Sequence, residues 1–121
     1  MVRLTAVLLV LLVAGCGGEE TAGPPSREPD VTGAVASAES IGGAAGGGGI
    51  ALLVKASERC IDQASVRATD VTHVYDANGE DLGPEGFEAL QPGRRVRVWF
   101  TGPVAESCPP QAEAGAIVLD D

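Results

Sequence analysis

Alternating apolar and polar residues are clearest in one segment near the carboxyl end of the chain. Residues 94–101 (RRVRVWFT) place three apolar side chains on one face, those of Val96, Val98 and Phe100. The opposite face carries Arg95, Arg97, Trp99 and Thr101. A period of two is typical of a β-strand that covers a core with one face. The segment therefore predicts a strand whose valine and phenylalanine side chains point inward.

Four further segments have the composition of short strands. They are residues 31–38, 50–55, 65–75 and 116–119. β-Branched and aliphatic residues recur in all four, as they do in strands generally. The alternation in residues 65–75 changes register near Asp70, which predicts a β-bulge, and Gly33 predicts a bulge or a tight bend in the first strand.

Turn signals separate these strands at short intervals. Asn78-Gly79 is typical of a tight hairpin turn, and the glycine-rich residues 40–49 predict a long hairpin loop. Residues 84–90 predict one helical turn with Phe87 and Leu90 facing inward. Five short strands and one helical turn predict a mostly β fold, a small five-stranded Greek-key barrel of the OB-like kind, with a β-sandwich as the alternative.

The amino-terminal segment has a different pattern from the rest of the chain. A basic start that includes Arg3 precedes an apolar run, residues 4–13, and Val13-Ala14-Gly15-Cys16 follows. The run is about ten residues, whereas a transmembrane helix needs roughly 20, so it has the form of a signal peptide. Small residues before the cysteine resemble the bacterial lipobox, in which the cysteine receives a lipid. The alternative is an ordinary secreted protein.

These features predict an order of segments and a location. We expect a lipoprotein signal peptide over residues 1–15, a flexible tether over 16–29 and a barrel domain over 30–121. Lipid on Cys16 would anchor the chain to the extracytoplasmic side of a membrane in the cell envelope. Without that lipid the chain would be secreted.

Lipidation of Cys16 would leave two thiols, those of Cys60 and Cys108. Disulfides persist outside the cytoplasm, so the pair predicts a bridge, and two free thiols are the alternative. The chain-entropy model assigns a crosslink across such a loop about 4 kcal/mol.

Charge and spacing exclude several classes of function. The formal net charge is −9, from 17 acidic and eight basic residues. Nucleic-acid binding depends on basic residues that neutralise phosphates, so we do not expect this chain to bind nucleic acid. No histidine or cysteine has metal-ligand spacing. Residues 76–81 (DANGED) superficially suggest a calcium loop, but glycine is fourth rather than sixth and Phe87 takes the twelfth position. We expect a hairpin turn with solvated acids there, and weak calcium binding stays open.

Three groups of side chains are candidates for function. Arg95, Arg97 and Trp99 share a strand face and form a candidate ligand surface; alternatively, carboxylates pair with the arginines, and residues 84–90 or the end of the barrel cover Trp99. Glu106 and Ser107 suit either ligand binding or turn hydrogen bonds. His73, the only histidine, lacks a nucleophile motif beside it, so we expect no catalytic residues, no cofactor and no enzyme activity.

The carboxyl-terminal third carries a further pattern. It comprises Leu90-Gln91-Pro92-Gly93, residues 96–102, Glu106-Ser107-Cys108-Pro109, residues 111–114 and Ile117. This pattern resembles the YobA-like family of bacterial lipoproteins, catalogued as domain of unknown function 3221, and extends more weakly over residues 31–119. The resemblance implies a small, often lipidated protein with an OB-like barrel and no assigned activity. Cys108 stands where the family more often has an aromatic residue, which fits a bridge to Cys60.

Together these observations predict a class of protein rather than a specific role. We expect a lipid-anchored extracytoplasmic β-barrel module that binds an envelope protein or a small ligand. An accessory structural lipoprotein without a dedicated ligand is the alternative.

Overall fold

The computed structural model describes residues 23–41 and 49–120 of the chain. The predicted signal peptide, Cys16, the first part of the predicted tether and most of the predicted hairpin loop lie outside these residues. The described chain forms six strands: β1 (Val31–Ile41), β2 (Gly49–Lys55), β3 (Gln63–Ala68), β4 (His73–Tyr75), β5 (Arg95–Ala105) and β6 (Gln111–Leu119). Two 3₁₀ helices, Cys60–Asp62 and Gly83–Ala89, lie between strands.

Five of the strands close into a barrel. The ring follows the order β1, β2, β3, β6, β5 and returns to β1; β3 and β6 are parallel and the other neighbours are antiparallel. The extra strand β4 lies parallel to β6. This order, with the longer 3₁₀ helix before β5, is an OB-like barrel. The predicted mostly β barrel with one helical turn is confirmed, and the sandwich alternative is wrong because the sheet closes on itself.

The interior of the barrel is filled by aliphatic side chains. The largest fully buried ones in this core are those of Leu52, Leu90, Ile117, Val35, Val54, Val66, Val74, Val96 and Val98. Only 3% of the residues are aromatic, so branched aliphatic side chains supply most of the buried area. Each contributes roughly 1.5–3 kcal/mol when fully buried.

The predicted single strand over residues 65–75 is wrong in its middle. The chain leaves the sheet after Ala68 and returns at His73, because Thr72 in the intervening turn bonds both within the turn and to β6. The Thr72 N–H donates to the Thr69 carbonyl at 3.0 Å, and the Thr72 hydroxyl donates to the Ala114 carbonyl at 2.6 Å. β3 and β4 both pair with β6, so this turn stands where we expected a bulge near Asp70.

Three strands are longer than predicted. β1 extends to Ile41, and β6 begins at Gln111 rather than at residue 116. β5 continues through Gly102 and Pro103, past the predicted end at residue 101, because a register shift between Thr101 and Ala105 leaves those residues out of the ladder. The strand does not end there, because its pairing with β6 resumes at Ala105 and Gln111.

Residues 23–30, here called the strap, lie against the outside of the barrel. They contain no strand or helix apart from their junction with β1, yet the Trp99 indole N–H donates to the Arg27 carbonyl at 2.7 Å. The Asp30 carboxylate accepts the Phe100 N–H at 2.8 Å and an Arg27 guanidinium N–H at 3.1 Å. We expected a flexible tether up to residue 29; the described part of it is held to β5 by these bonds.

The predicted disulfide between Cys60 and Cys108 is confirmed. It joins the loop between β2 and β3 to the loop between β5 and β6, with 5.6 Å between the two Cα atoms. That separation lies in the usual range for a bridged pair. Within the residues described, the structure contains no helix that is both long and apolar enough for a membrane span.

Candidate functional site

A groove crosses one end of the barrel, between the β1–β2 hairpin and the 3₁₀ helix Gly83–Ala89. Its large lobe has a volume of about 680 Å³ and its small lobe about 280 Å³. The two lobes share Ile50, Phe87 and Glu88. We call this surface the end groove. Its large lobe alone lies in the size range of ligand sites, roughly 300–1,000 Å³.

Apolar side chains form the floor of the end groove. Ile50, at the start of β2, and Phe87, in the 3₁₀ helix, are both half-buried and pack against the core. Gly86 allows the helix to lie close to β4, because a Cβ atom there would be only 2.8 Å from the Cβ of Val74. The close approach of helix and strand places Phe87 beside Ile50.

Carboxylates surround this apolar floor. Asp70 and Asp81 line the large lobe, Glu39 lines the small lobe, and Glu88 lines both. Among the described residues that line the two lobes there is no lysine or arginine. The potential of the groove is therefore negative at neutral pH.

Asp81 is held in its charged form by two hydrogen bonds. The Gly83 N–H, 2.8 Å from the Asp81 carboxylate, and the His73 ring, 3.0 Å from it, lower the pKa of this carboxyl below its ordinary value. Burial and the Asp81 charge raise the pKa of Tyr75, whose ring lies 6.3 Å from the His73 ring. His73 itself is an exposed side chain on the wall of the large lobe.

The small lobe adjoins an unpaired strand edge. β1 pairs with β5 only from Val31 to Ala34, and the backbone bonds of Val35 to Gly93 and Arg94 end that contact. From residue 37 to residue 41, β1 pairs with β2 on one side, and no strand of the described chain lies on its other side. Ala38, Glu39 and Ser40 form the wall of the small lobe along this edge.

The predicted surface of Arg95, Arg97 and Trp99 has a different environment from the one expected of a ligand platform. Trp99 is only 3% exposed because the strap covers it, so its ring is not available to a ligand in this conformation. The Arg97 guanidinium lies 5.9 Å from the centre of that ring and 3.3 Å from the Asp120 carboxylate. Arg95 is exposed at the start of β5.

Glu106 and Ser107 lie in the exposed loop between β5 and β6. The Ser107 hydroxyl donates to the Pro109 carbonyl at 2.7 Å and accepts the Gln111 side-chain N–H at 3.3 Å. The Ser107 N–H donates to the Ala105 carbonyl at 2.9 Å. Ser107 therefore stabilises the turn.

The acidic residues 76–81 form a turn around one carboxylate. The Asp76 side chain accepts the N–H groups of Asn78 and Glu80 at 2.9 and 3.0 Å, and Gly79 has a φ of 87°. Hydrogen bonding to the chain's own backbone thus occupies one oxygen of Asp76. In the part of the chain that the structure covers, no group of three or more His, Cys, Asp or Glu side chains is placed to hold a metal ion.

Sequence reasoning missed the end groove because its walls come from segments far apart in the chain. Residues 38–40, Ile50, residues 69–73 and residues 81–88 meet only after the barrel closes. The one sequence signal was Phe87, which was expected to face inward from a helical turn. No spacing rule connects Phe87 with Ile50 or with the edge of β1.

The strand order and the groove define a small OB-like β-barrel with a potential binding surface at one end. Residues 65–119, here called the family segment, match the family model described as a protein of unknown function (DUF3221), which confirms the predicted resemblance to domain of unknown function 3221. The family segment begins in β3 and includes β4, the 3₁₀ helix with Phe87, β5 and β6. Comparison with curated proteins found no match, and comparison with solved structures found none either.

Proposed function

We propose that this protein is a lipid-anchored, extracytoplasmic β-barrel module that binds a partner in the end groove. The observation that carries the proposal is the groove itself, an apolar floor at Ile50 and Phe87 surrounded by charged side chains. A concave apolar surface with a few convergent polar groups is typical of a binding site. The role we propose is binding rather than catalysis.

Two features support the extracytoplasmic, lipid-anchored part of the proposal. The sequence around Cys16 resembles a lipobox, and an acylated cysteine would anchor the chain firmly, since each buried CH₂ group contributes about 0.8 kcal/mol. The Cys60–Cys108 disulfide is of the kind that persists in oxidising compartments.

The end groove is a better candidate for the partner contact than the surface of Arg95, Arg97 and Trp99. Trp99 is covered by the strap, and Arg97 interacts with both Trp99 and Asp120. The two arginines remain a predicted secondary contact. Their removal should therefore weaken a partner complex less than a change in the groove.

A site-specific crosslinking experiment tests the groove. A photoreactive residue replaces Glu88 in the full-length protein expressed in its native envelope, and a matched variant carries it at Glu106, which is exposed and does not line the groove. We expect one identified partner at position 88, absent at position 106 and competed by the unlabelled protein. Equal products at both positions, or none at position 88, would contradict binding in the groove and favour an accessory role.

A labelling experiment tests the anchor independently. Cells supplied with a radioactive fatty acid should label the wild-type protein, and Cys16→Ser should abolish both the label and recovery in the membrane fraction. Cys60→Ser is the matched control, because it removes a thiol that should carry no lipid. A labelled Cys16→Ser variant would disprove the anchor.

A further inference from the structure

We propose that the occupant of the end groove is an extended peptide segment that pairs with the free edge of β1 and carries lysine or arginine side chains beside an apolar one. This inference rests on the proposed function and specifies its ligand. The partner is thus a protein with an exposed basic segment, and binding occurs by strand addition.

The free edge of β1 provides the backbone part of the site. Beyond Ala34 the strand has lost β5 as a neighbour, while residues 37–41 remain extended and paired with β2. Most of these residues are exposed. An exposed strand edge presents backbone N–H and C=O groups that can pair with another extended chain. Gly93 and Arg94, just before β5, make the last backbone contacts with this side of β1, at Val35. An added strand would occupy the same side of β1 beyond those contacts.

The groove beside that edge provides a place for a side chain. An extended peptide directs alternate side chains to the same face, so a strand along residues 38–40 would present some of its side chains to the small lobe. The floor of that lobe is Ile50 and Phe87, and Leu90 lies behind them in the core. An apolar side chain of leucine or phenylalanine size would bury its surface there.

The charges of the groove determine the sign of the peptide. Glu39 lies on the added strand's path, and Glu88 lies where the two lobes meet. Asp70 and Asp81 carry the negative potential into the large lobe, and Asp81 is stabilised as a carboxylate by Gly83 and His73. These carboxylates favour a peptide that carries cationic side chains on both sides of its apolar side chain. They repel an acidic peptide.

A second copy of this chain is a weaker candidate for the same edge. The chain has a formal net charge of −9, and edge-to-edge pairing of two β1 strands would bring two copies of Glu39 to one interface. Repulsion between like charges opposes such a dimer. Self-association is therefore one of the outcomes that the experiment must distinguish.

The test measures binding of three kinds of synthetic peptide to the full-length protein in a neutral detergent by isothermal titration calorimetry. The first peptide is acetyl-Lys-Thr-Leu-Thr-Phe-Thr-Lys-amide. The second replaces both lysines by glutamate. The third keeps the lysines but carries N-methyl groups on alternate backbone nitrogens, in both possible registers, so that pairing with a strand edge is blocked.

We expect the lysine peptide to bind at least tenfold more tightly than the glutamate peptide and than at least one N-methylated form. Glu39→Lys combined with Glu88→Lys should reverse the preference between the lysine and glutamate peptides. Glu106→Lys, which makes the same charge change outside the groove, should preserve the preference.

Each other outcome overturns a stated part of the inference. Equal binding of the lysine and glutamate peptides would contradict the charge argument, and tight binding of both N-methylated forms would contradict strand addition. Absence of binding at millimolar peptide, together with a partner crosslinked at position 88, would reject the basic peptide while the proposed function stands. A dimer in analytical ultracentrifugation that Glu39→Lys disrupts would assign the edge to a second copy. Absence of any crosslink would reject the proposed function itself.

Discussion

At the scale of single residues, Gly33 lies closer to a neighbouring backbone than any other described glycine. A Cβ atom at this position would lie 2.3 Å from the Lys55 carbonyl oxygen and 2.8 Å from the Ala56 nitrogen. Both are backbone atoms, so neither can move as a flexible side chain does. β1 crosses the end of β2 here, at the point where it exchanges β5 for β2 as its partner. The sequence predicted a bulge or a tight bend at Gly33; the register shift of β1 lies between Val35 and Ser37 instead, and the close approach of the Lys55 and Ala56 backbone is the physical reason for the glycine.

We therefore expect Gly33→Ala to destabilise the protein by about 1–3 kcal/mol or more, the usual cost of adding atoms to a well-packed site. Urea unfolding followed by circular dichroism measures the difference. Thr32→Ala, at the exposed neighbouring position, should stay within about 0.5 kcal/mol of wild type. Equal stabilities for the two variants would show that the two strands can separate at this point without loss.

Trp99 shows how far side-chain direction can be read from a sequence. Alternation correctly placed Val96 and Val98 inside and Trp99 on the opposite face. The face was right, and the side chain is covered there, because a second cluster of Trp99, Tyr75, Ala116 and Val118 is buried on the outer side of the sheet. What covers Trp99 is the strap, a proline-containing segment without periodicity, and no pattern within β5 reports a neighbour of that kind.

At the scale of elements, the strap adds to the barrel a segment that has no regular structure. Its contacts are directional: the Asp30 N–H donates to the Val98 carbonyl at 2.8 Å, and the Asp30 carboxylate accepts the Phe100 N–H. Arg27 donates to the Phe100 carbonyl at 3.1 Å and contacts the Asp30 carboxylate. Asp30 is thus the residue on which most of the attachment depends.

Asp30→Ala should detach part of the strap and destabilise the protein by about 1–2 kcal/mol, since a hydrogen bond to a charged group in a partly exposed place is lost. Trp99 is the only tryptophan, so its fluorescence reports the cover directly. We expect a red-shifted emission and stronger quenching by acrylamide. Glu28→Ala removes a neighbouring exposed carboxylate and should leave the emission unchanged. An unchanged spectrum in Asp30→Ala would mean that the strap is held mainly elsewhere.

The division of residues 65–75 into β3 and β4 marks the limit of pattern reasoning at this scale. Both halves alternate, and both lie along β6, as one strand with an irregularity would. The choice between a one-residue bulge and a turn depends on the bonds of Thr72 to Thr69 and to Ala114. Ala114 lies 42 residues away along the chain, so local propensity does not contain this information.

At the scale of the whole molecule, the disulfide joins two loops that the barrel alone would hold together only through its strands. The bridged residues are separated by 48 positions, and the chain-entropy model gives such a crosslink about 4 kcal/mol. Total stabilities of small domains are typically about 5–15 kcal/mol. The bridge is therefore a large fraction of the stability of this fold.

We expect the double variant Cys60→Ser, Cys108→Ser to unfold at a lower urea concentration, with a loss of about 2–5 kcal/mol. Cys16→Ser, in which the bridge is intact, should unfold as the wild type does once both are in the same detergent. Titration of thiols in the unfolded, unreduced Cys16→Ser variant provides a second measurement, and it should find none. Two reactive thiols there, or an unchanged midpoint in the double variant, would contradict the stabilising role.

The fold was more predictable than the candidate site, and the difference has a physical cause. Strand periodicity and turn residues are local signals, and five short strands with one helical turn leave few ways to bury so small a set of aliphatic side chains. The end groove depends instead on how Phe87, Ile50 and the edge of β1 meet across the closed barrel. Such an arrangement follows from tertiary closure, and no segment of the sequence encodes it alone.

The position of β6 in the sheet has a consequence for how the protein is made. The last strand of the described chain, β6, pairs with β3, β4 and β5, so the sheet cannot close into a barrel without its nine residues. A growing chain cannot close this barrel until those residues leave the ribosome, because the parallel pairing waits for its final partner. The strand order thus keeps the barrel open until β6 has been synthesised.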